Sequence, residues 1–521
     1  MSADHVDVLI VGAGLSGIGA GHQLHARFPD RTYAILESRS ELGGTWSLFT
    51  YPGVRSDSDM HTLGYRFRPW TDATAIAGGP AILDYLRDTA REGDVERHIR
   101  YGKRVIRANW STPESIWTVE VRDINSGQVS RMTCRFLFLC CGYYDYDEPY
   151  APQIPGIEEF SGPVVHPQFW PADLDYAGKS VVVIGSGATA VTLVPAMAGV
   201  ARHVTMLQRS PTYIVAMPGT DRTAQRLGRW LPKSRVAQLV RWRNIVQMVA
   251  TYRLSRRWPS AMRRLIRKSQ ERFLPGNDID THLTPTYQPW DQRLCVVPNG
   301  DLFRALRAGT ASIVTDTIDQ VTASGIALSS GQELEADIIV TATGLNLLAF
   351  GGIEVLVDGA EVVLSEHMSY RSVMLNDVPN LAYAMGYTNA SWTLKIDLTY
   401  DYLWRLFERM DDVGATWCVP RLNGVTVGDK PFLDFQAGYV LRAVDRFPKA
   451  GDRAPWRLRM NYVLDVFQLG RGSVDDGTLE FGTGDSGRGA SDLRRVAWLS
   501  AWDSSSSTRP TRSGSRSSGA G

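Results

Sequence analysis

The sequence predicts an α/β protein built from two Rossmann-like units, with a helical insertion and a disordered C-terminal tail. Two kinds of observation carry that prediction. An apolar run leads twice into a glycine-rich loop that opens a helical pattern, at Gly12-Ala-Gly14-Leu-Ser-Gly17 and at Gly185-Ser-Gly187-Ala-Thr-Ala190. Between and beyond these units the composition changes. Residues 222–273 hold fifteen Lys or Arg and one acid, Glu271, whereas Gly, Ser and Arg dominate past Asp475.

The 521 residues can bury large cores, and two or three domains are expected. A net charge of +1 argues against a global nucleic-acid or anionic-surface function, while leaving a local basic patch open. Five cysteines (134, 140, 141, 295, 418) are too sparse for a disulfide framework and suit reduced thiols in a cytoplasm. Acid stands in MSADHVD where a secretion signal would carry Lys or Arg. Two long uncharged runs, Val8–Ala26 and Val181–Ala201, contain several glycines, so strand, turn and helix are expected rather than membrane spans.

In chain order, His5–Val11 is a buried parallel strand, and the first loop starts a helix running through Leu24. Its glycines suit a tight turn, close approach of backbone N–H groups to a pyrophosphate, and helix–strand packing. A second strand, Thr32–Leu36, ends in Glu37, an acceptor placed for a ribose 2′-hydroxyl. Ile116–Arg122 and Met132–Cys141 are further strands, and adjacent Cys140 and Cys141 are packed thiols. Pro149, Pro152 and Pro155 mark a linker. Ser180–Ile184 repeats the strand–loop pattern, with Ala190 in place of the third glycine. The strand His203–Gln208 then ends in Arg209-Ser210, where the first unit has Glu37. An acid suits a free ribose hydroxyl, and guanidinium donors suit a 2′-phosphate. Ile326–Leu334 is a hairpin, followed by a strand at Ala336–Val340.

The expected division is 1–147 and 337–474 for the first unit, 148–215 and 291–336 for the second, 216–290 for the insertion, and 475–521 for the tail. The basic faces of the insertion, interleaved with Trp230, Trp242 and Trp258, fit either a solvated helical surface or peripheral contact with the inner face of a membrane. No nucleic-acid module surrounds them. Paired-carboxylate and Cys/His metal patterns are missing, so no metal is expected.

Phe160, Gly162, His166, Trp170 and Pro171 match the fingerprint FxGxxxHxxxW followed by Pro. Together with the paired loops, Gly43-Gly44-Thr45-Trp46, Pro52-Gly53-x-Arg55-x-Asp57 and Ala342-Thr343-Gly344, the chain resembles class B flavoprotein monooxygenases of Baeyer–Villiger type from residue 5 to about 470. The resemblance implies FAD on the first loop and NADPH on the second. Gly12, Gly14, Gly17, Glu37, Gly44, Thr45, Trp46 and Asp57 would hold FAD, and Gly185, Gly187, Ala190, Arg209 and Ser210 would hold NADPH. Oxygen from O2 would reach the substrate through a C4a-peroxyflavin, turning ketones into esters or lactones and oxygenating sulfides or thioamides.

Arg293 stands where the family has its catalytic arginine, Asp57 where it has an active-site carboxylate, and Gln292 where it has a lysine. Arg304 and Arg307 are the next candidates for the arginine's role. His166 is either a base or an anchor between domains, and the anchor fits better. Two alternatives compete with this reading. One is a flavin monooxygenase restricted to sulfur and nitrogen oxygenation, and the other is a non-catalytic FAD/NADP-binding sensor. A disulfide oxidoreductase would need a redox cysteine pair, which is missing.

Overall fold

A computed structural model describes residues 4–291, 294–433 and 438–484. Asp4–Val11 lies inside an eleven-stranded mixed sheet, with parallel neighbours Tyr33–Leu36 on one side and Val129–Leu139 on the other. Val8 is level with Tyr33, and Leu9 with Leu137. Ile99–Arg100 extends the parallel region outward from Tyr33–Leu36, and Leu381–Tyr383 extends it from Val129–Leu139. The strands Lys103–Ser111 and Ile116–Asp123 add an antiparallel ribbon on which Trp110 faces Trp117, both fully buried. Helix Leu15–Arg27 covers one face, and helix Trp392–Asp412 packs on that helix. The contact is close because Gly19 has no side chain: a Cβ there would lie 2.7 Å from the Tyr400 hydroxyl and 2.8 Å from the Tyr65 ring.

The second unit is a five-stranded, all-parallel sheet. Ser180–Ile184 is its central strand, flanked by His203–Gln208 and Ile338–Thr341, with Ala311–Thr315 and Val164–Val165 outermost. Its inner strands are apolar runs because both faces are covered. In both sheets the strand preceding the glycine loop has later strands on either side, so the connections diverge and leave a crevice at its carboxyl end.

Three expected boundaries move. Ile338–Thr341 lies beyond the expected limit of 336 yet belongs to the second unit, because Ile339 pairs with Val182 and with Val164. The insertion is framed by a two-strand seam, Ile214–Met217 beside Cys295–Pro298, rather than by 216 and 290. The region expected to be tail begins too early at 475. Leu479–Gly482 pairs antiparallel with Trp417–Pro420, and Leu479 is buried, so the fold continues through 484. Alternating apolar residues, Leu479 and Phe481, give this short strand a packing face. The remainder of the expected tail, 485–521, lies outside the described residues.

The insertion comprises helices Arg222–Leu227, Lys233–Arg257, Pro259–Gln270 and Gly276–His282. Its basic character is not only a solvated face. Arg241 is buried, pairs with Asp397 at 2.8 Å, and donates to the carbonyls of His61 and Gly64. Among the described residues no helix is long and apolar enough to cross a membrane. All five cysteines are free thiols.

Candidate active site where the two glycine loops share a cavity

A cavity of about 360 Å³ opens at the carboxyl ends of Asp4–Val11 and Val129–Leu139. Its floor is the first glycine loop. Gly12 adopts φ +102°, and a Cβ there would lie 2.7 Å from the Cys140 carbonyl oxygen. Gly17 lies beneath the loop rather than in the cavity: a Cβ would come within 1.8 Å of the Gly12 carbonyl oxygen. Gly14 faces Gly44, which has φ +56° and whose Cβ would sit 3.0 Å from the Gly14 Cα. Two backbones thus form a bare cradle at the start of helix Leu15–Arg27, as an approaching pyrophosphate requires.

Glu37 is buried at the cavity edge. Its carboxylate accepts from the Ala13 N–H at 2.7 Å and the Arg39 N–H at 2.9 Å, so it braces the loop as well as facing the ligand space. Thr45 shares a hydrogen bond of 3.1 Å with the Tyr146 hydroxyl. Burial pushes Tyr146 up to about 12, so it is a neutral donor at physiological pH. Trp46 and Asp57 also line the cavity. Gly12, Gly14, Glu37, Gly44, Thr45, Trp46 and Asp57 are therefore brought together, and these residues fit a flavin dinucleotide.

In the sequence Cys140 and Cys141 read only as packed thiols, yet they form part of the wall, with Tyr51 and with Tyr387 and Trp392 from the family-like stretch 385–398. Burial raises both thiols and takes Tyr51 up to about 12, so these groups are neutral. Trp392 is held by its indole N–H donating 2.8 Å to the Ser16 hydroxyl. Arg55 pairs with Asp301, the first residue of helix Asp301–Arg307 in the second unit. The arginine belonged to a visible motif; nothing in the sequence marked its partner 246 positions away.

The far wall is Ala188, Thr189, Val191 and Thr192, on the helix that follows the second glycine loop. In that loop a Cβ on Gly185 would meet the Ala342 carbonyl oxygen at 2.3 Å, whereas one on Gly187 would meet nothing within 4 Å. No protein atom therefore demands glycine at 187, and the bare position suits a ligand lying against it. Ala190 is fully buried in the core of the second unit. Arg209 and Ser210 are exposed at the end of His203–Gln208, and the Ser186 hydroxyl ties this end to Thr212 at 2.8 Å. Among the described residues Arg209 has no ion-pair partner, which leaves its donors available to a phosphate. These second-loop residues lie outside the cavity lining and form their own edge of the junction.

Of the fingerprint residues, Phe160, Gly162 and Trp170 pack in the second unit, and His166 reaches the crossover to the first. Phe160 packs into a core under the second sheet, and a Cβ on Gly162 would meet the Asp337 carbonyl oxygen at 2.4 Å. Trp170 packs edge-on to Tyr176, and Pro171 follows it in the same linker. His166 accepts the Gln168 N–H at Nδ1 (3.1 Å) and lies 3.2 Å from the Gly344 carbonyl oxygen at Nε2. A carbonyl only accepts, so the single ring proton sits on Nε2, and burial lowers the pKa to keep the ring neutral. Gln168 in turn donates to the Asp145 carbonyl at 2.9 Å.

Arg293 and Gln292 lie outside the described residues. Arg304 and Arg307 are exposed on helix Asp301–Arg307 and do not line the cavity. Among the described residues no group of three or more His, Cys, Asp or Glu side chains is placed to hold a metal ion.

The flavin-binding monooxygenase-like family model matches residues 76–357, and an NAD(P)-binding Rossmann-like domain model matches 10–73. FAD-containing monooxygenase EthA of Mycobacterium tuberculosis is 54% identical over 480 residues, covering 92% of this chain and 98% of the relative. Probable FAD-binding monooxygenase AlmA of Acinetobacter baylyi is 45% identical, covering 92% and 96%. Among solved structures, oxidized steroid monooxygenase bound to NADP superposes with a TM-score of 0.72 at 22% identity, covering 92% of this chain and all of that one. Epsilon-caprolactone-bound cyclohexanone monooxygenase gives 0.70 at 21% identity with the same coverage. Similarity over nearly the whole length, joined to the paired loops and the cavity between them, places the chain in the flavin-binding monooxygenase family.

Proposed function

We propose that this flavin monooxygenase holds FAD in the first-unit cavity and NADPH on the second loop, and that it transfers one oxygen atom of O2 to ketones, sulfides or thioamides. The observation that carries the reading is the shared wall. Ala188, Thr189, Val191 and Thr192, which follow the second nucleotide loop, close the cavity that the first loop opens. Hydride donor and flavin would meet there, away from bulk water. When bound, reduced flavin supplies the oxygen activation, and the chain supplies position and charge.

Within this proposal Gly14 and Gly44 admit the flavin pyrophosphate, and Glu37 faces the ribose. Arg209 and Ser210 take the 2′-phosphate of NADPH. Arg293 provides a fixed positive charge for the oxyanion of a ketone adduct, and Asp57 orients its guanidinium. His166 is a positioning residue whose hydrogen bond to Gly344 sets the hinge between units. The stretches FRPWT, SDSDM, GSGATAVTLVP and YTNASWTLK look nearly interchangeable with the ethionamide-activating member of the family, which supports thioamides as substrates beside ketones. Peripheral contact with a membrane through residues 222–273 is proposed beside this chemistry and does not depend on it.

The test is product analysis with NADPH, O2 and a paired ketone and thioether. Esters or lactones together with sulfoxides support the reading. Sulfoxide alone selects the enzyme restricted to sulfur and nitrogen. Bound FAD without substrate-dependent NADPH consumption selects the sensor.

A further inference from the structure

Helix Lys233–Arg257 carries no acidic residue, and its exposed side mixes apolar with basic and polar residues. Leu239, Trp242, Val246, Ala250 and Leu254 are all exposed and recur at helical spacing, so they form one stripe. Trp242 is 57% exposed, Trp258 at the helix end 57%, and Trp230 just before the helix 86%. On the same face Arg235 precedes the stripe and Arg253 and Arg257 lie at its far end, exposed, and none of the three has an ion-pair partner among the described residues. The apolar area continues onto the neighbouring segment. Trp242 lies 6.4 Å from Tyr462, centre to centre, and the residues after Tyr462 expose Val463, Leu464 and Phe467.

Beside the stripe is a cleft of about 20 Å³, room for a single water at rest, lined by Met248, Val249 and Tyr252 of the helix and by Met460 and Tyr462, so a substrate would pass only when these side chains part. Ala390 lines both this cleft and the flavin cavity, so one residue separates them. Asn389 stands at this neck, donating 3.0 Å to the Met460 carbonyl, while its buried side-chain oxygen has no hydrogen-bond partner.

We infer that the stripe of helix Lys233–Arg257 docks on an anionic lipid surface, and that the cleft beside it is a side port through which apolar substrate passes from the lipid to the flavin cavity. Charge complementarity selects the occupant. Exposed Trp and Leu flanked by unpaired arginines match the acyl boundary and the phosphates of an anionic leaflet, whereas a second copy of this face would bring like charges together. The port rests on the monooxygenase reading; the docking does not.

The experiment uses the FAD-loaded protein with phosphatidylcholine vesicles, with and without about one-third phosphatidylglycerol. Wild type is expected to sediment with the anionic vesicles only and to leave them at high salt. The surface variant Leu239→Ser/Trp242→Ser/Val246→Ser and the charge variant Arg253→Gln/Arg257→Gln should each bind about tenfold more weakly or worse. Val249→Trp, which narrows the port, should raise KM about tenfold for a long-chain ketone dissolved in the vesicles. It should leave kcat/KM for a short water-soluble ketone and flavin reduction by NADPH within about twofold. Docking is overturned if wild type ignores anionic vesicles, if the surface variant binds as well as wild type, or if light scattering finds a dimer that this variant dissolves. The port is overturned if Val249→Trp affects both ketones alike. Vesicle binding without any ketone or sulfide turnover would remove the substrate reading and the port with it, and leave the docking standing.

Discussion

Arg55 of the first unit and Asp301 of the second form an ion pair across the junction, with side chains only 14% and 22% exposed. The Asp301 carboxylate also accepts the Leu302 N–H at 2.8 Å. Asp301→Asn keeps an acceptor for that N–H and removes the charge. A partly desolvated arginine left without its counter-ion should lower stability by about 1–3 kcal/mol, read as a fall in Tm. A double-mutant cycle with Arg55→Gln should return a coupling energy of similar size, and a value near zero would show that the pair does not join the units.

The two loops answer differently to an added methyl group. At Gly17 a Cβ would lie 1.8 Å from a backbone oxygen, so Gly17→Ala should abolish soluble, yellow protein. At Gly187 there is open space, so Gly187→Ala should fold and retain FAD while KM for NADPH rises about tenfold. Flavin content by absorbance and NADPH kinetics distinguish the outcomes. Unchanged NADPH kinetics would mean that no ligand lies against Gly187.

Arg209→Ala should raise KM for NADPH about 10- to 100-fold and leave NADH oxidation nearly unchanged, because only the phosphorylated cofactor loses a partner. An equal loss with both cofactors would assign Arg209 to the fold rather than to selectivity.

Arg293→Ala should leave flavin reducible by NADPH while ketone oxygenation falls by about 10²–10³. Stopped-flow reduction and product yield separate the two steps, and undiminished ester formation would remove Arg293 from the chemistry.

The buried pair of Arg241 and Asp397 predicts a pH effect. Burial raises Asp397 to about 6, against the opposing pull of Arg241. A carboxyl raised in the folded state contributes stability that is full below its unfolded pKa of about 4 and is lost as pH rises through about 6. Arg241→Ala strips the counter-ion and the donor to the carbonyls of His61 and Gly64, and should cost about 3–5 kcal/mol near pH 7.5. The deficit in Tm should shrink at pH 5, where the orphaned carboxyl takes up a proton. A deficit independent of pH would mean that Asp397 does not titrate in this range.

What the sequence disclosed followed how local the cause was. Ser180–Ile184 and His203–Gln208 appear at their expected limits because an apolar run ending at a turn is a local signal. Glu37 reaches the cavity for the same reason, since strand length fixes where the next residue falls. Ile338–Thr341 was assigned to the wrong unit because an apolar strand does not reveal which sheet it enters. Leu479–Gly482 was hidden by its glycine-rich surroundings, although Leu479 and Phe481 alternate toward a packing face. In the sequence Arg241 is one more charge in a basic run, and its burial depends on distant partners, Asp397 and the carbonyls of His61 and Gly64.

Because Ala188, Thr189, Val191 and Thr192 are borrowed from the neighbouring unit, the width of the cavity should follow how the two units sit against each other. The chain crosses between the units where Tyr144–Pro149 runs antiparallel to Leu345–Leu347 and Gly344 turns at φ +116°. Engineers seeking to admit bulkier molecules would therefore have two places to work, the wall itself and this crossover, whose residues Tyr144 and Leu345 also line the cavity.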